Sequence, residues 1–215
     1  MTDVQHEKRL AAEAAADLVD GGMRVGLGTG STVAFLLFAL AARKLDIRCV
    51  ATSVATERAA EELGIPVEPF DLLDGLDIAI DGADQIAPDG WLVKGGGAAH
   101  TREKIVAAAA DRFVVIASSD KPVDALTPPV PLELMAFGLQ STLRMLGRVS
   151  IRDVPRSPDG GVIADYEGSF ENPQSLATYL DTAPGVVAHG LFPPSLVYEI
   201  FVARGDKVQR LVPPS

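Results

Sequence analysis

Three observations predict an α/β chain: a mostly parallel sheet covered by helices, followed by a smaller α+β lobe. Over residues 23–121 short β-rich runs alternate with Ala-rich helical stretches, the pattern of strands joined by crossover helices. At Thr127-Pro-Pro-Val-Pro131 three prolines fall within four residues, which favours an extended connection and marks a boundary. Beyond it the chain reads strand, helix, strand, strand, helix, strand, the order of a ferredoxin-like split βαβ unit.

The elements follow in order. An Ala-rich amphipathic helix over 6–19 opens the chain, with neither the charged start nor the apolar core of a signal peptide. Strands are expected at 23–27, 47–51, 76–80 and 112–117, with weaker ones at 66–68 and 92–93. Helices are expected at 32–44, at 56–63 with Gly64 in a C-terminal capping position, and at 98–110. In the second unit the strands are 132–134, 149–152, 162–165 and 185–188, and the helices 135–146 and 173–181. Two last runs, 197–203 and 207–211, flank Gly205-Asp206 as a hairpin that can return to the first sheet. The expected division is therefore 1–127 plus 204–215 for the first unit and 128–203 for the lobe.

At 215 residues the chain can bury a substantial core without staples. Its net charge of −10 repels phosphate backbones and anionic lipid surfaces, so neither nucleic acid nor a membrane is an expected partner. An anionic ligand would have to be held by local amides and a few placed lysines. The single cysteine, Cys49, sits in an apolar run. It excludes a disulfide framework and fits a reducing, cytoplasmic setting. No apolar stretch approaches the roughly 20 residues of a membrane span.

In an open α/β sheet ligands sit at the carboxyl ends of the strands, so the residues after each strand carry the functional signal. Gly28-Thr-Gly-Ser-Thr32 opens a helix after the first strand; glycines permit a tight turn, and amides and hydroxyls at a helix start suit a phosphate. The dinucleotide fingerprint needs glycine where Ser31 or Val33 stands, and the Walker loop needs a Gly-Lys pair absent from the chain. A simple phosphate fits better than a nucleotide. Thr52-Ser-Val-Ala-Thr56 reads chiefly as helix capping. Asp81-Gly-Ala-Asp84 puts two carboxylates on a turn after an apolar strand, as acid/base or hydroxyl-binding groups.

The most specific segment is Lys94-Gly-Gly-Gly-Ala-Ala-His-Thr-Arg-Glu103-Lys104. Three consecutive glycines let a backbone approach a ligand closely, and a lysine beside them can meet a developing oxyanion. Glu103 falls in the first turns of the next helix, within reach of the same place. A further strand-end lysine, Lys121, follows Ser119-Asp120. His6, His100 and His189 show no metal-ligand spacing; they read as structural, with His100 a neighbour of the pocket.

Taken together and in order, these motifs closely resemble ribose-5-phosphate isomerase of the A type. Pro131-Leu-Glu-Leu134 and Pro184-Gly-Val-Val187 extend the resemblance over nearly the whole chain. It implies a Rossmann-like domain with an inserted ferredoxin-like lobe, working as a homodimer or homotetramer. It also implies cofactor-free interconversion of D-ribose 5-phosphate and D-ribulose 5-phosphate, in the pentose phosphate pathway. On the matching positions Glu103 would be the base, Asp81 would assist ring opening and proton movement, and Lys94 would steady the enediolate. Thr29, Gly30, Ser31, Thr32, Asp81, Gly82, Ala83, Asp84, Lys94, Gly95, Gly96, Gly97 and Lys121 would contact substrate. Gln85, Ala98 and His100 depart from the family pattern. A sugar-phosphate sensor and an acyl-CoA transferase of related fold remain the alternatives.

Overall fold

The computed structural model describes residues 4–214; residues 1–3 and 215, the extreme ends of the expected first unit, lie outside the described residues. The chain opens with α1 (Val4–Ala16). Then β1 (Arg24–Leu27) leads into α2 (Ser31–Arg43), and β2 (Arg48–Ala51) into α3 (Val54–Glu62). Next, β3 (Ile78–Gly82) leads through the short pair β4 (Gln85–Ile86) and β5 (Leu92–Val93) to α4 (His100–Ala108) and β6 (Phe113–Ser118). The second stretch is β7 (Val130–Leu134), α5 (Leu139–Leu146), β8 (Val149–Ile151), β9 (Val162–Tyr166), α6 (Pro173–Thr182) and β10 (Val186–His189). It closes with β11 (Leu191–Phe192), β12 (Glu199–Arg204) and β13 (Lys207–Leu211).

The main sheet runs β13-β12-β6-β3-β1-β2, parallel throughout except for the β12–β13 hairpin. From β1 the chain steps outward to β2 on one side and through β3 to β6 on the other. The switch point, where loops diverge and a crevice opens, therefore lies between β1 and β3. The central strands are apolar on both faces because helices cover both. Ile78, Ile80, Val114 and Ile116 join one core beneath α1 and α2. Their neighbours in sequence, Ala79, Val115 and Ala117, join a second core with Val106 of α4. This two-residue alternation is what a pleated strand imposes.

The lobe sheet, β10-β7-β9-β8, places its strands fourth, first, third, second, all antiparallel. Its core gathers Leu132 and Leu134 with Leu176 and Leu180 of α6. A third sheet, β11-β5-β4, bridges the two units and ends directly at Lys94.

Several expectations are corrected. Residues 66–68 form only an isolated bridge from Val67 to Cys49; Pro66 and Pro69 bracket it, and a proline has no N–H to extend a ladder. The helix expected from 135 starts at Leu139, because the Met135 N–H still pairs with the Gly185 carbonyl at 2.8 Å and Gly138 turns the chain at φ 70°. The third strand runs later than expected and takes Asp81 into the ladder opposite Val115. Residues 199–203, assigned above to the lobe, pair with β6 in the main sheet. The division we propose therefore falls before Glu199, since a strand belongs with the ladder that satisfies its backbone.

Candidate active site

The loops after β1, β3 and β5 and the first turn of α4 meet at the switch point around one cavity of about 220 Å³. Every expected binding residue except Asp81 lines it, with Glu103 and, from α1, Lys8. Its size is below the roughly 300–1,000 Å³ of drug-sized sites, which suits a small polar ligand. A larger cleft of about 880 Å³ runs past α4 between apolar walls that include Phe70, Ile105 and Met135, and contains none of Asp81, Lys94 and Glu103.

At one end of the cavity is an anion cradle. Gly30 turns the chain at φ 131° into α2, whose first-turn N–H groups have no intrahelical acceptor. Thr29 is held in place by the hydroxyl cluster at the start of α3: its Oγ1 lies 2.8 Å from Thr52 Oγ1 and 2.8 Å from Ser53 Oγ. The Ser53 hydroxyl also caps α3 by accepting the Thr56 N–H at 3.1 Å, as the sequence suggests. Lys8 donates to Ser31 Oγ at 2.9 Å. Lys121 also lines the cavity, on a turn whose Ser119 N–H is anchored at 2.9 Å by the buried Glu7 carboxylate.

At the other end three charged groups are almost fully withdrawn from solvent. The Lys94 ammonium donates to Asp81 Oδ2 at 2.7 Å and lies 3.2 Å from Glu103 Oε2, in ion-pair range without hydrogen-bond alignment. All three are 2–3 % exposed. Asp81 is fully engaged: its Oδ1 accepts the Thr29 and Gly82 N–H groups at 3.0 and 2.7 Å. It lies below the cavity wall, because strand β3 carries it into the sheet. Gly28 is required there, since a Cβ at that position would sit 1.9 Å from Asp81 Oδ1.

Burial, reinforced by the nearby Asp81 charge, lifts the Glu103 carboxyl to about 8 despite the opposing pull of Lys94. Burial likewise raises Asp81, with Lys94 opposing. Burial opposes the Lys94 charge, but the two carboxylates outweigh it and hold the ammonium above the ordinary lysine range. A base poised near neutrality beside a fixed cation can take a proton from carbon and stabilise the resulting oxyanion. Among the described residues no three His, Cys, Asp or Glu side chains come together as a metal-binding group.

The sequence model of the family described as ribose 5-phosphate isomerase A (phosphoriboisomerase A) matches residues 48–207. The chain belongs to this family. The ribose-5-phosphate isomerase A of Caulobacter sp. (strain K31) is 45% identical over 222 residues, covering 96% of this chain and 98% of the relative. The crystal structure of ribose 5 phosphate isomerase A from Neisseria gonorrhoeae is similar over the full length of both chains, with a TM-score of 0.94 and 31% identity. A D-ribose-5-phosphate isomerase solved in complex with phospho-erythronic acid aligns with a TM-score of 0.91 and 32% identity, over 98% of this chain and 99% of that one.

None of the three expected departures from the family pattern, Gln85, Ala98 and His100, lines the cavity. Gln85 clasps the Thr127 backbone with both ends of its amide, at 2.8 and 2.9 Å, and stays out of the cavity wall. A glutamate could not donate the second of these bonds. Ala98 adopts φ 60°, a left-handed conformation in which a Cβ is strained. His100, the expected pocket neighbour, is fully buried behind Gly95 and outside the cavity wall.

Two contributors escaped sequence reasoning. Lys8 stands alone on a helix with no motif around it, and reaches the cavity only because α1 packs on α2. The Thr29–Thr52–Ser53 contact joins motifs 23 and 24 residues apart that each look self-sufficient.

Proposed function

We propose that this chain interconverts D-ribose 5-phosphate and D-ribulose 5-phosphate, as its family membership and the two-ended cavity support. The phosphate sits at the start of α2, between Lys8 and Lys121, and C1 and C2 of the open-chain pentose lie against Lys94 and Glu103. The ionised Glu103 carboxylate removes the proton from C2, leaving an enediolate whose negative oxygen faces the Lys94 ammonium. The same carboxyl then delivers the proton to C1 while the O2 hydrogen moves to O1, so no atom is gained or lost.

The observation that carries this reading is the Asp81–Lys94–Glu103 array, with spacings of 2.7 and 3.2 Å and a Glu103 carboxyl lifted to about 8. Asp81 has both oxygens occupied inside the sheet. We therefore assign it to holding Lys94, in place of the ring-opening role implied by the resemblance. Purified protein, supplied with D-ribose 5-phosphate in heavy water and chelator, should produce the ketose with solvent deuterium at C1. Absence of ketose would overturn the proposal.

We further propose a homodimer or homotetramer. Phe137, Met135 and Ile105 are 88, 51 and 53 % exposed, an apolar set that association would cover. Light scattering of the purified chain tests this. A cytoplasmic location is proposed from the free, buried Cys49 and the phosphorylated substrate; among the described residues no helix is long and apolar enough to cross a membrane.

A further inference from the structure

The triple-glycine loop has a clamp that comes from the other unit. Arg152 follows β8, the edge strand of the lobe sheet, and its guanidinium is only partly exposed. Nε and Nη2 donate to the two oxygens of Asp165, each at 2.6 Å. Asp165 lies on β9, diagonal to Arg152 across the ladder, so the pair is preformed by the sheet. The remaining nitrogen, Nη1, reaches out of the lobe and donates to the carbonyls of Gly95 at 2.9 Å and Gly96 at 3.2 Å.

A peptide group is planar, with its C=O and N–H pointing in opposite directions. The Gly95 carbonyl shares its plane with the Gly96 N–H, and the Gly96 carbonyl shares its plane with the Gly97 N–H. Fixing both carbonyls from outside therefore fixes the direction of two N–H groups on the other side. One of them, Gly96 N–H, donates to Asp84 Oδ2 at 2.7 Å, and Asp84 lines the cavity. Three glycines are the most mobile backbone a chain can offer; the Gly95 carbonyl also accepts the Ala98 N–H at 3.0 Å and the Gly96 N–H is held by Asp84, so the clamp matters most at the Gly96 carbonyl and the Gly97 N–H joined to it. A charged donor on the carbonyl also polarises the peptide and strengthens its N–H as a donor.

We propose that Arg152, held by Asp165, is a positioning residue of the isomerase site: from the adjacent lobe it aims the Gly97 amide at the reacting end of the sugar and, through the Gly96 N–H, sets the Asp84 carboxylate that lines the cavity. This rests on the function proposed above. It gives the lobe a part in catalysis although Arg152 does not line the cavity.

The test compares wild type with Arg152→Met, Arg152→Lys and Asp165→Asn. It reads kcat and KM for D-ribose 5-phosphate, and the dissociation constants of phospho-erythronic acid and inorganic phosphate. Phospho-erythronic acid carries a carboxylate as well as a phosphate and so can probe both ends of the cavity, whereas inorganic phosphate probes only the cradle. Arg152→Met should lower kcat at least tenfold and weaken phospho-erythronic acid by a similar factor, with inorganic phosphate within twofold of wild type. Arg152→Lys keeps the charge but loses the fork, and should recover part of the loss. Asp165→Asn leaves the guanidinium in place but loosely held, and carries the test if Arg152→Met fails to fold. A fall in melting temperature with kcat and phospho-erythronic acid binding within twofold of wild type would reduce the clamp to a structural tie and overturn the proposal. Equal weakening of both ligands would also overturn it. If wild type shows no isomerisation, the functional reading fails, while the contrast between the two ligands still decides the role of Arg152.

Discussion

Activity should climb steeply through neutrality, which an ordinary glutamate base would not produce. The base works only when ionised, and the Glu103 carboxyl is lifted from 4.5 to about 8. At pH 8 about half of such a base is ionised and at pH 6 about 1%, so kcat/KM should fall about 50-fold between them. A base at 4.5 would be about 97% ionised at pH 6 and would show no such fall. The substrate phosphate, with a second pKa near 6, contributes only about twofold over the same interval. Burial is the first cause of the Glu103 shift and the Asp81 charge the second. Asp81→Asn should therefore move the rising limb to lower pH without returning it to the ordinary carboxylate range. The measurement is ketose absorbance at pH 6, 7 and 8 at constant ionic strength. A change of threefold or less across that range would refute a buried, uplifted base.

Glu103→Gln should lower kcat roughly 10²-fold or more, and exchange of the C2 hydrogen with solvent should fall in step; exchange at the wild-type rate would reassign the base. The same variant should change stability with a defined sign. The folded state keeps a proton on Glu103 up to about 8, whereas the unfolded chain releases it near 4.5, so this group's contribution declines as pH rises between those values. Melting curves should show Glu103→Gln gaining on wild type from pH 5 to pH 8. Gly28→Ala would push a Cβ to within 1.9 Å of Asp81 Oδ1. It should cost about 1–3 kcal/mol of overpacking, or roughly 2–12 °C in melting temperature, together with most of the activity. Lys8→Met should raise KM about tenfold with kcat little changed, the pattern of lost uniform binding; an unchanged KM would remove Lys8 from the cradle.

The strand-end logic carried much of the site because a parallel sheet converts sequence order into spatial convergence. Thr29 to Thr32, Asp84 and Lys94 to Gly97 each follow a β run, and each reaches the same cavity. The lobe was legible for a related reason, since its six elements alternate in a pattern with few compact solutions. What stayed hidden depended on distances that no local pattern encodes. Asp81 reads as a turn residue, and only the length of the β6 partner ladder shows that it is drawn into the sheet. Residues 199–203 read as half of a hairpin that can return to the first sheet, although the expected division counts them with the lobe; their pairing with β6 is a choice of partner, and amphipathic period is silent on partners. Arg152 sits at the end of an ordinary edge strand and Lys8 on an Ala-rich helix, and each works through a contact with a distant element.

A chain with net charge −10 that holds an anion is no paradox once the scale of each effect is compared. At physiological salt the Debye length is about 8 Å, so scattered surface acids act weakly on a group enclosed in the cavity. What that group meets is close at hand. Lys94 is already balanced by Asp81 and Glu103 at 2.7 and 3.2 Å, which leaves the phosphate to Lys8, Lys121 and the start of α2. A polyanion, by contrast, must lie along the outer surface and meets the whole acidic field. The same charge distribution can thus admit a small dianion that the outer surface would repel, because ligand size decides which charges are felt.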